Sequence, residues 1–425
     1  MNIHIVKSGE TVEQIAQQYG VPVFVVVTLN NLEEIPNLVE GQALLILQPT
    51  RLHTVRANET VYSIAQSYGI DINTLYRNNP ILGGRAIIYP GQTLVISFER
   101  DVRRRIDVNG YAYPYINLAV LQAILPYANY LTPFTYGITE EGGLVYLEDE
   151  ALIEQAFNYG VLPLMHLSTL TESGGFSNEL ASLVLNNPEI QESLIADIIE
   201  NMQSKDYRGL DIDFEFVYPE DSLLYGEFVG KLRERLNPLG YEVIAALAPK
   251  ISDTQRGLLY EGHNYQAIGD NADAVLLMTY EWGYTYGPPM AVAPIRNVRQ
   301  VVEYALGIIP ADKIFLGIPN YGYDWTLPYV KGESRARLIS NVEAVKIAAE
   351  NGVAIQFDEV SQSPWFKYTD GSGNEHEVWF EDVRSIQQKF NLIDEKGLRG
   401  AGYWNFMRLF QQNFSLLEYM FDVRQ

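Results

Sequence analysis

From Gly209 to Glu215 the chain reads Gly-Leu-Asp-Ile-Asp-Phe-Glu, a run in which acids and apolar residues alternate. In a β-strand successive side chains point to opposite faces, so Asp211, Asp213 and Glu215 share one side and Leu210, Ile212 and Phe214 the other. Few folds accept such a strand. Three carboxylates facing an interior carry a large desolvation cost unless they share protons or partners, which makes a purely structural role a poor explanation. With Asp213 ionised, a proton on Glu215 is harder to remove, and the two titrate as a coupled pair. The result is a poised general acid.

The flanking sequence supplies the rest of a sheet. Short apolar runs recur at Ile106 to Tyr113, Tyr130 to Ile138, Val161 to Leu167, Val243 to Leu247, Ala274 to Tyr280, Ile314 to Pro319 and Gly400 to Trp404, which with the acidic run makes eight. Helical patterns lie between them, among them Ile190 to Met202, Leu223 to Leu236 and Asn297 to Leu306. Strand and helix alternate as parallel crossover units do, and residues 101–425 are expected to form an α/β fold, a (β/α)8 TIM barrel with the three acids facing its axis. Such a barrel takes about 250 residues. The excess fits a stretch from about Trp325 to Phe380, between the seventh and eighth strands, where Pro364, Gly371 and Gly373 predict a small antiparallel α+β insertion walling the site.

The first hundred residues are built differently. His4-Ile-Val-Lys-Ser-Gly-Glu-Thr-Val12 returns as His53-Thr-Val-Arg-Ala-Asn-Glu-Thr-Val61, and Ile15-Ala-Gln-Gln-Tyr-Gly20 as Ile64-Ala-Gln-Ser-Tyr-Gly69. Each copy continues through an Asn pair (Asn30-Asn31, Asn78-Asn79) to a Gly-Gln and an apolar strand, predicting two small βααβ modules at 1–49 and 50–98 with almost no linker. The repeats resemble the LysM module, which binds glycans containing N-acetylglucosamine. That resemblance places the sugar against Gly9, Glu10, Thr11 and Asn30 in the first copy and Asn58, Glu59, Thr60 and Asn78 in the second. Helix capping and turn formation explain the same Thr and Asn residues about equally well.

Composition removes several function classes. The formal charge is −23, which opposes nucleic acid as a partner, and with 6 basic and 8 acidic residues before position 101 the acidity belongs to the second part. The absence of cysteine excludes disulfides, thiolate metal sites and a cysteine nucleophile. No apolar stretch approaches the roughly 20 residues of a membrane span, and Met1 to Thr11 lacks the pattern of a secretory signal. A lone His166 near the acids makes a poor metal site, and neither metal nor cofactor is expected.

The acidic strand resembles the signature of glycoside hydrolase family 18, Asp-Gly-x-Asp-x-Asp-x-Glu, with Arg208 in place of the first Asp. Leu277-Met278-Thr279-Tyr280, Gly317-Ile-Pro-Asn-Tyr-Gly322 and Gly402-Tyr-Trp404 are similar to the family's sixth, seventh and eighth strands, and Glu281 stands where many members have Asp. The resemblance implies a retaining mechanism in which the substrate's own N-acetyl oxygen attacks the anomeric carbon. Glu215 is then the acid and later the base, Asp213 orients the acetamido group, Asp211 supports Asp213, and Tyr280 bonds the acetamido oxygen. Trp404 is the apolar floor under the sugar, Met278 belongs to the same motif, and Tyr136 and Asn320 are weaker pocket candidates.

Two LysM-like modules joined to such a barrel resemble the enzymes that degrade cortex peptidoglycan in Bacillus-type spores. The resemblance implies an N-acetylglucosaminidase acting on cortex glycan strands, located in the spore coat or cortex without a secretory signal. A chitinase and a glycan-binding lectin without catalysis are the alternatives. Removal of residues 1–97 is expected to weaken binding to insoluble glycan while sparing small substrates.

Overall fold

The computed structural model describes residues 1–171 and 173–423. Eight parallel strands form the barrel: β1 (Arg104–Ala112), β2 (Tyr130–Pro133), β3 (Leu162–Ser168), β4 (Gly209–Asp213), β5 (Glu242–Leu247), β6 (Ala274–Leu277), β7 (Ile314–Pro319) and β8 (Gly400–Trp404). They close where β8 meets β1, with Gly400 opposite Asp107 and Tyr403 opposite Gly110. A Cβ on Gly400 would lie 1.8 Å from the Asp107 carbonyl oxygen, so a side chain there would force the seam apart. The alternation in β4 works as expected: Leu210 and Ile212 join the core between barrel and helices, while Asp211 and Asp213 are buried on the lumen side.

Between β7 and β8 lies a five-stranded antiparallel sheet, in the order Arg337–Ile339, Gly322–Thr326, Glu375–Trp379, Ser363–Thr369, Gln356–Asp358. It begins slightly before the expected Trp325 because Gly322 already pairs with Ile339. Phe366 and Val378 pack beneath the helix Asn341–Asn351 with Ala344, Ile347 and Ala348. Tyr323 projects from the opposite face, towards the mouth of the barrel.

Each N-terminal module is a strand, two helices and a strand, as the repeat predicts. Asn2–Ile5 pairs antiparallel with Ala43–Ile46, and Pro49–Thr54 with Thr93–Phe98. Thr11 and Thr60 cap the first helices through reciprocal capping boxes with Gln14 and Ser63, and Gly20 and Gly69 end them at φ of 66° and 68°.

These modules do not hang on the barrel as independent beads. Val25, Leu29, Leu45 and Leu47 of the first and Val95 of the second belong to the same apolar cluster as the barrel's Tyr127, Phe414 and Leu417. Val39 lies in the core of the insertion with Ile355 and Phe380. Polar contacts follow the same seam: Gln412 donates to the Asn30 side chain and the Ala43 carbonyl, both at 2.8 Å, and the Ile355 amide to the Glu40 carbonyl at 2.8 Å. The expected clean separation of binding from catalysis on deleting residues 1–97 is therefore corrected, because the cut would expose the apolar faces of both partners.

Arg77 of the second module meets Glu418 of the barrel at 2.9 Å, both side chains 11% exposed. Arg77→Ala would strand a carboxylate with Arg100 as its remaining cationic partner. The expected cost is about 3 kcal/mol, read as a lower midpoint in thermal or urea unfolding of the full chain.

Candidate active site

The lumen acids sit at the carboxyl end of the barrel, around a pocket of about 210 Å³ whose lining includes Tyr111, Asp213, Glu215, Met278, Tyr280, Glu281, Trp282 and Trp404. β4 itself stops at Asp213, so Glu215 lies just beyond the strand. Its position is fixed by neighbours. The Phe214 ring stacks on Tyr225 with centroids 5.4 Å apart, and His263 Nε2 lies 3.0 Å from the Glu215 carbonyl oxygen. Burial holds His263 neutral, with its pKa lowered to about 4, so it donates to that carbonyl as an uncharged ring.

Behind Glu215 the acids form a file. Tyr111 donates its hydroxyl to Asp211 Oδ2 at 2.5 Å. Burial raises Asp211 to about 7 against that hydrogen bond, and raises Asp213 well above the usual carboxylate range, with the charges of Glu215 and Asp211 adding to it. The Glu215 carboxyl is raised by burial and by the Glu281 charge. A site with these directions holds fewer than three negative charges at neutral pH and keeps a proton available for donation. Asp213 Oδ1 is buried and has no hydrogen-bond partner among the described residues. An amide N–H entering the pocket would supply one.

His166 approaches Asp213 Oδ2 at 3.7 Å, and its Nδ1 is paired with Thr135 Oγ1 at 2.6 Å. Burial lowers its pKa to about 3, so it is a neutral packing and hydrogen-bonding neighbour of the acids. Glu281 adopts φ 65° and its carboxylate accepts from the hydroxyls of Tyr321 and Tyr323, which joins the insertion directly to the pocket. Arg208, where the family signature has its first Asp, lies at the opposite end of β4, paired with Asp206 at 2.8 Å. It is remote from the chemistry.

Two pocket candidates are elsewhere. Tyr136 donates to Asp149 at 2.6 Å in a buried group that also contains Lys205 and Tyr207, on the helix side of the sheet. Asn320 donates to the carbonyls of Asn405 and Arg408 at 3.1 and 2.6 Å and so holds the chain that follows Trp404. Both are corrected from lining residues to supports.

Two members of the glycan-facing set in the modules, Asn30 and Asn78, are also revised. Asn30 donates to the Val26 and Leu45 carbonyls and accepts from the Leu45 amide, and Asn78 donates to the Ile96 carbonyl; both are buried and turned inward. The structural equivalent of Asn30 is Asn79, which bonds Leu75 and Val95 in the same pattern. Glu10 and Glu59 each bridge a His and a backbone amide of their own turn, while Thr11 and Thr60 cap helices. Gly9 and Asn58 occupy equivalent turn positions at φ 77° and 70°.

Comparison with known proteins decides the family. The model described as glycosyl hydrolases family 18 matches residues 162–408, more than half of the chain, and the LysM domain model matches residues 4–46 and 53–97.

The chain belongs to glycosyl hydrolases family 18.

Within family 18 it is similar to the cortical fragment-lytic enzyme of Bacillus subtilis, 43% identical over 76% of this chain and 76% of that one. Two crystal structures of the spore cortex-lytic enzyme SleL resemble it over nearly all of both chains. The Bacillus megaterium protein covers 99% of this chain and 98% of its own at 37% identity and a TM-score of 0.83, and the Bacillus cereus protein 100% and 98% at 35% and 0.84. The protein is a glycoside hydrolase.

The sequence alone does not single out Tyr111, Trp282, Tyr321 and Tyr323. The inward register of β1 marks Tyr111, but the contact between Glu281 and Tyr323 depends on the docking of the insertion. Glu281→Gln removes a negative neighbour of Glu215, so the acid's pKa falls. With Glu215 as the expected general acid, activity follows its protonated form, and the alkaline limb of the kcat/KM profile is expected to move about 1 pH unit to lower pH.

Proposed function

We propose that this chain is an N-acetylglucosaminidase of spore cortex peptidoglycan, active on cortex fragments during germination and located in the spore coat or cortex. The observation that carries this reading is one pocket lined by Asp213, Glu215, Tyr280 and Trp404, with Asp211 behind it on Tyr111, in a chain that also bears two LysM modules. Names of the relatives supply the substrate: proteins similar along the whole chain are called spore cortex-lytic. No helix among the described residues is long and apolar enough to cross a membrane.

The reaction proceeds with retention and without an enzyme nucleophile. The sugar sits over Trp404 with its acetamido N–H on Asp213 Oδ1 and its acetamido oxygen beside the Tyr280 hydroxyl. Glu215 protonates the departing glycosidic oxygen as the acetamido oxygen closes on the anomeric carbon. The positive charge of the resulting oxazolinium ring is held against Asp213, and Glu215, now a carboxylate, takes a proton from the water that opens the ring.

Digestion of purified cortex fragments followed by mass spectrometry tests the reading. New N-acetylglucosamine reducing ends are the expected product. New muramic reducing ends, or turnover of chitin oligomers with none of cortex fragments, would overturn it.

A further inference from the structure

We infer that His166 is a positioning residue for Asp213: its Nε2–H, aimed by Thr135, donates to Asp213 Oδ2 when the acetamido N–H of the sugar donates to Oδ1. The inference rests on the reading of Asp213 as the acetamido partner. β3 and β4 are neighbours in the barrel with His166 beside Asp211, so the imidazole enters the lumen next to the acids. The ring is fully buried, with Phe134 at 4.6 Å and Tyr111 edge-on at 5.6 Å. Its Nδ1 meets Thr135 Oγ1 at 2.6 Å, which leaves the ring little freedom to turn. Nε2 is buried without a hydrogen-bond partner among the described residues, 3.7 Å from Asp213 Oδ2. A buried orphan nitrogen carries a desolvation cost that a partner offsets. Rotation of the Asp213 side chain closes the gap.

The tautomer decides how the pair works. Thr135 has one hydroxyl proton and three neighbours in reach of it: His166 Nδ1, the Tyr136 carbonyl at 3.0 Å and Ser168 Oγ at 3.0 Å. The Tyr136 carbonyl already accepts from the Ser168 amide at 3.0 Å. Donation over the shortest of the three contacts makes Nδ1 an acceptor, and the neutral imidazole then carries its proton on Nε2, facing Asp213. The opposite tautomer would set a bare nitrogen lone pair against a carboxylate. In the reaction Asp213 must hold negative charge against the oxazolinium ring, and its acidic neighbours Glu215 and Asp211 oppose that charge. A fixed N–H on its second oxygen favours the charged form without adding a counter-charge to the site.

Substitutions separate the two ring nitrogens, since an Asn amide nitrogen stands in for Nδ1 and a Gln amide nitrogen for Nε2. On cortex fragments His166→Phe is expected to lower kcat about thirtyfold with KM within about twofold of wild type. His166→Asn should behave like Phe, and His166→Gln should recover most of the rate. In the Asp213→Asn background His166→Phe should cost less than about threefold more, because the charge it serves is already gone. The protein has 5 histidines, so long-range 1H–15N correlation is assignable from the signal that His166→Gln deletes. In Glu215→Gln saturated with the β-1,4-linked N-acetylglucosamine hexamer, the His166 proton is expected on Nε2. A wild-type kcat in His166→Phe, a loss that Gln does not recover although the thermal melt matches wild type, full additivity with Asp213→Asn, or the proton on Nδ1 in the complex would overturn the inference. Should His166→Phe not fold, the tautomer in Glu215→Gln still decides. The acetamido reading of Asp213 fails differently: Asp213→Asn then raises KM at constant kcat, whatever His166 does. If the wild type leaves cortex fragments uncut, the same variants are compared on the hexamer.

Discussion

Glu215→Gln is expected to lower turnover of cortex fragments by about 10³-fold or more, with substrate affinity nearly intact. Gln preserves the shape of the side chain in the pocket lining, but it has no acidic proton for the departing oxygen and no carboxylate with which to activate water. Both half-reactions lose the same group, so the variant should show neither a burst of product nor an accumulated intermediate. Product analysis by mass spectrometry, beside a thermal melt that matches the wild type, separates lost chemistry from lost fold. Turnover within tenfold of wild type would remove Glu215 from its assigned role.

Asp213→Asn is expected to lower kcat by about 10²-fold while KM changes little. The Asn side chain keeps an oxygen that can accept the acetamido N–H, so ground-state binding survives. What it lacks is negative charge against the ring that develops positive charge in the transition state, and in a buried site that loss is not screened by solvent. Steady-state kinetics on one defined oligosaccharide decides it. A rise in KM at constant kcat would make Asp213 a simple binding residue.

The sequence predicts the barrel well because β4 separates its two environments residue by residue. Leu210 and Ile212 answer to the helices and Asp211 and Asp213 to the lumen, so the period alone reveals both. The modules are equally legible in outline, since capping residues and αL glycines recur in both copies. Individual roles are less so. The 49-residue repeat maps Asn30 onto Asn79 rather than Asn78, and no local signal tells an inward amide from an outward one. Tyr136 and Asn320 have pocket-like residue types at strand ends. Which way each points is set by Asp149 in one case and by the chain after Trp404 in the other, and both are distant in sequence.

Val39 inside the core of the insertion has a consequence for how a long polymer is handled. A binding module on a flexible tether samples a volume and raises local concentration in proportion to its reach. Here the first module shares apolar side chains with both the barrel and the insertion, so it has no volume to sample. A strand gripped at the modules meets the pocket at one fixed distance and one fixed angle, and the protein handles glycan as a gauge rather than as a hook on a line.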